Sequence, residues 1–129
     1  MKLIVFYLSC FCAFVAGHML NYSAIMYSLE VFESSWLAGV AYGFCFGPPI
    51  IFGWLAGAYI DRYSAKKVLL LAQNFFLLGA TGMLLVMMFK PQYSIALFLM
   101  SCFSVGIAWA FVAPSRLASL GQYVATEEL

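Results

Sequence analysis

Residues 34–60 read SSWLAGVAYGFCFGPPIIFGWLAGAYI, a run of 27 residues without one charged side chain. A helix needs about 20 mostly apolar residues to cross the hydrocarbon core of a bilayer. This run is long enough to do so, with room for tilt. Three more uncharged runs surround it: Leu3–Leu29, Val68–Phe89 and Pro91–Ser115, of 27, 22 and 25 residues. Peptide groups in lipid must be satisfied within their own segment, so each run predicts a helix. A β-barrel would show short alternating segments, which are absent here. The expected fold class is therefore all-α. We expect a polytopic membrane protein with four transmembrane helices over about 3–29, 34–60, 68–89 and 91–115, then a cytoplasmic tail at 116–129.

Composition points the same way. Of 129 residues, 66% are hydrophobic and 9% charged, with a mean hydropathy of +1.01. An ordinary soluble domain is about a quarter charged. A soluble fold this short leaves too much of its area wet to hide so much apolar surface. A soluble enzyme and a disordered chain are therefore excluded, and no cofactor is expected. Net charge is +1, and no basic stretch exceeds Lys66-Lys67. That leaves no phosphate-tracking footprint, so membrane lipid is expected as a partner and nucleic acid is not. Met1-Lys2 before an apolar stretch, with Val15-Ala16-Gly17 as a cleavage site, also fits a signal peptide. The uncharged run continues to Leu29, however, so a retained first span is expected.

The loops set the orientation. With a cytoplasmic N-terminus, the inside holds Lys2, Arg62, Lys66, Lys67 and Arg116, and the outside holds Lys90 with Glu30 and Glu33. The positive-inside rule then places both termini in the cytoplasm, as in a plasma membrane protein. Cys10, Cys12, Cys45 and Cys102 all fall within spans and read as small hydrophobes rather than disulfides or metal ligands. The sequon Asn21-Tyr22-Ser23 lies within the first span, where glycosylation is implausible.

The second span carries Gly39, Gly43, Gly47, Gly53 and Gly57, within roughly a third of the helical wheel. Small residues on one face admit a neighbouring helix closely. Pro48 and Pro49 deprive the carbonyls of Phe44 and Cys45 of their usual amide donors, so a kink or weak point is expected in mid-span. After it comes GAYIDRYSAKK, residues 57–67, a tight charged turn leading into the next span.

Gly57, Asp61, Arg62 and Lys66 in this spacing resemble the loop signature between the second and third helices of the major facilitator superfamily: Gly, three residues, Asp-Arg, then a basic pair after a short gap. The chain departs from it at Ser64, where that family usually has Gly, and at Ala65, often basic there. Pro114-Ser115-Arg116-Leu117-Ala118, with Val124 and Glu127-Glu128-Leu129, is similar to the segment after the fourth helix in the branch of proton-driven exporters of drugs, macrolides and siderophores. The resemblance covers the whole chain as the first four helices of a six-helix half. It implies two such halves rocking around a central site for a small-molecule substrate, with the remaining helices of the transporter as partners. It also implies a cytoplasmic gating loop. In that loop Asp61 is the latch carboxylate, Arg62 and Lys66 are its electrostatic partners, and Gly57 permits close helix approach. Orientation and head-group contact are the plain alternative for the basic residues.

Polar residues within the spans are the other candidates. His18, Asn21 and Tyr22 lie close on the wheel, with Cys10 and Gly17 nearby. Polar side chains at that depth face protein or water. Histidine titrates near neutrality, so His18 serves either as a proton carrier or substrate ligand, or in an interhelical hydrogen bond. The family lines its cavity partly with the first and fourth helices, which adds Ser101, Ser104 and Trp109 as lining residues. Arg116, at the cytoplasmic end, reads as a snorkelling side chain or a basic cavity mouth. No span contains an acid, and no Walker-type loop is present. Thr126-Glu127-Glu128-Leu129 reads as a helix start, a Thr cap with acids in the first turn, which implies a fragment of about a third of a twelve-helix transporter. Two alternatives stand beside this reading. One is a small four-helix homodimeric multidrug transporter, although its relatives carry a Glu in the first helix that Leu3–Leu29 lacks. The other is a non-transporting membrane scaffold or assembly subunit.

Overall fold

The computed structural model describes residues 2–89 and 94–127. Lys90, the start of the fourth uncharged run at Pro91, and Glu128-Leu129 lie outside the described residues. The described chain is four helices in series: α1 (Lys2–Glu30), α2 (Ser35–Tyr63), α3 (Ala65–Met88) and α4 (Ile95–Glu127). Each is long and apolar enough to cross a membrane. Among the described residues there is no strand.

The helix bounds differ from the uncharged runs in one consistent way. α2 continues past Ile60 to Tyr63, taking Asp61 and Arg62 into its last turn, and α3 begins at Ala65 rather than Val68. The expected loop is thus a single residue, Ser64. Its N–H donates to Ile60 C=O, and its own C=O accepts from Val68 N–H. At the opposite end Ser34 caps α2, its hydroxyl accepting from Leu37 N–H at 3.2 Å. α2 is continuous across Pro48-Pro49.

The expected helix start at Thr126 is a correction. Residues 116–127 extend α4 without a break, so Thr126 and Glu127 continue a helix instead of starting one. Leu117, Ala118, Leu120, Gln122 and Ala125 are strong helix formers, and only Gly121 opposes them.

α4 is the central element, packed along α3 and α2, while α1 leans mainly on α2. The four helices converge where α1 turns into α2. There Ala24, Ala41, Cys45, Met83, Val86, Phe98 and Cys102 form a buried cluster flanked by Tyr27 and Phe32. The Tyr27 hydroxyl donates across to Val86 C=O of α3 at 3.3 Å. On α1 the buried positions are Gly17, Asn21, Ala24 and Ser28, spaced i, i+4, i+7, i+11, which makes one stripe of a helix. N-terminal to Gly17, residues 3–16 contain no buried residue. α1 is therefore clamped over its second half and free over its first.

The total accessible area is 8668 Å², whereas a compact soluble chain of this mass exposes about 6,800 Å². The excess is apolar: Trp36, Ile50, Trp54 and Met88 are each more than 70% exposed. Such a surface is matched by lipid or by further apolar helices, not by water.

Candidate functional site

The free half of α1 leaves a cavity of about 530 Å³ against α3 and α4, among Phe6, Phe14, Gln73, Phe76, Trp109 and Arg116. Its position follows from side-chain size. At Gly17 the missing Cβ lets the Trp109 ring press onto the α1 backbone. Phe14 and His18, one residue type on each side of that glycine, grip the same indole. Phe14 meets Trp109 edge-on at 5.6 Å between centroids, and His18 lies 5.2 Å from it at a 33° tilt. Phe14 and His18 also meet edge-on at 4.3 Å. This aromatic triad closes the inner end of the cavity. Beyond it Val112, Ala113, Arg116 and Leu120 line the α4 side at helical spacing.

Trp109 and Arg116 line the cavity, and each buries one N–H against protein atoms, Trp109 Nε1 and Arg116 Nε, with no acceptor among the described residues. Among the described residues lining the cavity, Arg116 carries the only charge. Of the acids with described side chains, Glu30 and Glu33 lie at the other end of the bundle and Asp61 is exposed. The cavity is therefore apolar and aromatic over most of its wall, with a cationic rim.

The expected lining set divides. Trp109 and Arg116 line the cavity. His18 borders it through the aromatic triad. Asn21, one turn further along α1, is 2% exposed, and both ends of its amide lack a partner. Tyr22 is 65% exposed, beside the buried Asn21. The buried stripe runs through Gly17 and Asn21, and Tyr22 lies beyond its edge.

Ser101 and Ser104 face α3. Ser104 donates to Phe75 C=O at 2.8 Å, and Ser101 donates to Leu97 C=O at 2.7 Å while packing against Gly79 and Gly82. Their hydroxyls satisfy carbonyls in the α3/α4 seam.

The glycines also divide, in a way the wheel did not anticipate. Gly39, Gly43, Gly47, Gly53 and Gly57 have nothing within 4 Å of where a Cβ would sit. The glycines that bring helices together are Gly17, Gly79, Gly82 and Gly106. Spacing held a signal for one pair, Gly79 and Gly82, three apart and so on one side of α3.

In the charged turn, Gly57, Asp61, Arg62 and Lys66 are all exposed. The Arg62 guanidinium lies over the Tyr63 ring at 5.7 Å from its centroid, and Tyr63 stacks on Tyr59. Ser64, between the two helices, has φ 81° and ψ 142°. That is a backbone region which glycine occupies freely and a side chain occupies under strain. No protein-family description, curated protein or solved structure matches the chain.

Proposed function

We propose that this chain forms the first four helices of the N-terminal half of a major facilitator transporter, which exports a small molecule across the plasma membrane by proton-coupled secondary transport. Both termini lie in the cytoplasm in this reading, and the remaining helices of the transporter cover the apolar faces of α1 and α2.

The observation that carries the reading is the turn at Ser64. The family signature has glycine at this place, and the backbone here takes a glycine-type conformation although the residue is serine. Asp61 and Arg62 end one helix and Lys66 opens the next, so a one-residue pivot holds the acidic and basic groups close together. An exposed carboxylate without a partner among the described residues is available to a second half of the protein in one conformation and not in the other. Such a differential contact is what a latch requires. His18, packed against Phe14 and Trp109, is the residue of these four helices assigned to proton coupling, the alternative being coupling residues in the remaining helices.

A second reading, the homodimeric four-helix transporter, draws on one observation. The open glycine stripe of α2 offers a close-packing face to another copy of the chain.

The test is transport by the full gene product in efflux-deficient cells, with wild type and Asp61→Asn at equal membrane abundance. Wild type should lower the accumulation of amphipathic toxic compounds, and Asp61→Asn should lose this while inserting normally. Full activity in Asp61→Asn would remove the latch. No flux from wild type would remove the transport reading.

A further inference from the structure

We infer that the cavity between α1, α3 and α4 is a binding site for a small amphipathic organic anion taken from the aqueous phase, with its apolar body between Phe14, Phe76 and Trp109 and its anionic group at Arg116. The inference rests on the transport reading for its physiological role and deepens it by naming the substrate class. The binding itself does not depend on that reading.

The cavity volume of about 530 Å³ falls within the range of about 300–1,000 Å³ typical of small-molecule sites. Its wall has the usual composition of such sites: mostly apolar and aromatic, with few polar groups. Among the described residues of the wall the one charge is the Arg116 guanidinium. A charge set in an apolar wall carries a desolvation cost that a ligand of opposite charge offsets. A carboxylate or sulfonate does so with a charge-assisted bond, and the planar fork of the guanidinium matches two oxygens. A cationic ligand would meet Arg116 with no acid in the wall to offset it. A neutral ligand would leave the guanidinium unpaired. The places of the two residues fit one molecule with a polar end and a flat apolar end: the Trp109 ring stands at the inner, aromatic end, and Arg116 stands two turns along the same face of α4, toward the mouth.

The chain supplies its own reporter. Its three tryptophans are Trp36, Trp54 and Trp109. The first two are 77% and 74% exposed on the outside of the bundle. With Trp36, Trp54 and every tryptophan outside these four helices replaced by Phe, and the protein reconstituted in phosphatidylcholine nanodiscs, Trp109 alone reports the cavity. The probe is 4-bromobenzoate, whose bromine quenches indole fluorescence on contact. Its control is 4-bromobenzyl alcohol, of similar size and no charge.

Saturable quenching by the acid is expected. Arg116→Gln should weaken it by about tenfold or more, the loss of one hydrogen bond to a charged group. Quenching by the alcohol should stay weak and unchanged in Arg116→Gln, and Arg116→Lys should retain most of the acid's binding. An unshifted Trp109 emission spectrum in each variant shows that the cavity is intact. Equal quenching by acid and alcohol, or indifference of the acid to Arg116→Gln, would overturn the inference. A further arm replaces part of the phosphatidylcholine with phosphatidylglycerol at high salt, which screens the surface charge of the bilayer. Unchanged affinity for 4-bromobenzoate supports an aqueous ligand. Its loss would assign the site to lipid head groups and overturn the inference. Binding without flux would leave the site standing and remove the transport reading, and flux without Arg116-dependent binding would do the reverse.

Discussion

The backbone of Gly106 lies against the carbonyl oxygen of Phe44, one of the two acceptors that Pro48 and Pro49 leave without an amide donor. A Cβ at Gly106 would collide with that oxygen and stand 2.8 Å from Pro48 Cγ and 3.1 Å from Cys45 C=O. The seam thus brings a bare helix backbone to the place where another helix has lost two hydrogen bonds. Weak Cα–H···O contacts are what such a close approach offers in return. Gly106→Ala should destabilise the bundle by about 1–3 kcal/mol, as overpacking does in a filled interior. Gly43→Ala, where nothing lies within 4 Å, should be neutral or stabilise by about 0.5–1 kcal/mol through helix propensity. Reversible unfolding in mixed micelles measures both. Equal effects at the two sites would contradict the seam.

Ser64 joins α2 to α3 at φ 81°. Ser64→Gly should stabilise by about 1 kcal/mol by releasing that strain, and Ser64→Val should cost at least as much. The same unfolding assay decides. A destabilising Ser64→Gly would mean that the hydroxyl contributes more than the backbone strain costs.

Asn21 is buried, with neither end of its amide paired. Leucine has nearly the same shape and no polar atoms to desolvate. Asn21→Leu should therefore raise stability by about 1–2 kcal/mol. A loss instead would reveal a partner for the amide, such as an enclosed water molecule.

Orientation is tested by labelling single cysteines in a background where the four native ones are replaced. Glu33→Cys should react with an impermeant maleimide from outside the cell, and Ser64→Cys should react only after permeabilisation. The opposite pattern would invert the topology.

The number of helices was legible because charges do not enter hydrocarbon, and eleven charged residues gathered in a few places mark where it ends. The helix ends were not legible, for the same reason. An uncharged run measures the thickness of lipid, while α2 carries on through Asp61 to Tyr63 and α4 through Arg116 to Glu127, where hydrogen bonds along the axis do not need lipid to form. The cavity was half legible. Periodicity put Gly17 and Asn21 on one side of α1, but which neighbour Ser101, Ser104 and Trp109 face depends on how α4 is rotated between α1 and α3. A wheel drawn for one helix contains no partner. The glycine stripe of α2 misled in the same way. Five glycines on one face mark where a helix is thin, and Gly106, alone in its stretch of α4, marks where two helices touch.

The unequal burial of α1 makes it a cantilever. From Gly17 to Lys2 the helix extends about 22 Å beyond its last buried residue, at 1.5 Å per residue. A swing of about 10° about that point would carry its tip about 4 Å, as rigid-rod geometry with that rise requires. The indole of Trp109 against Gly17 is the fulcrum, and the width of the cavity mouth is set by the angle of a single rod. Whatever presses on the first turn of this helix therefore acts with leverage on the aromatic contacts at its pivot.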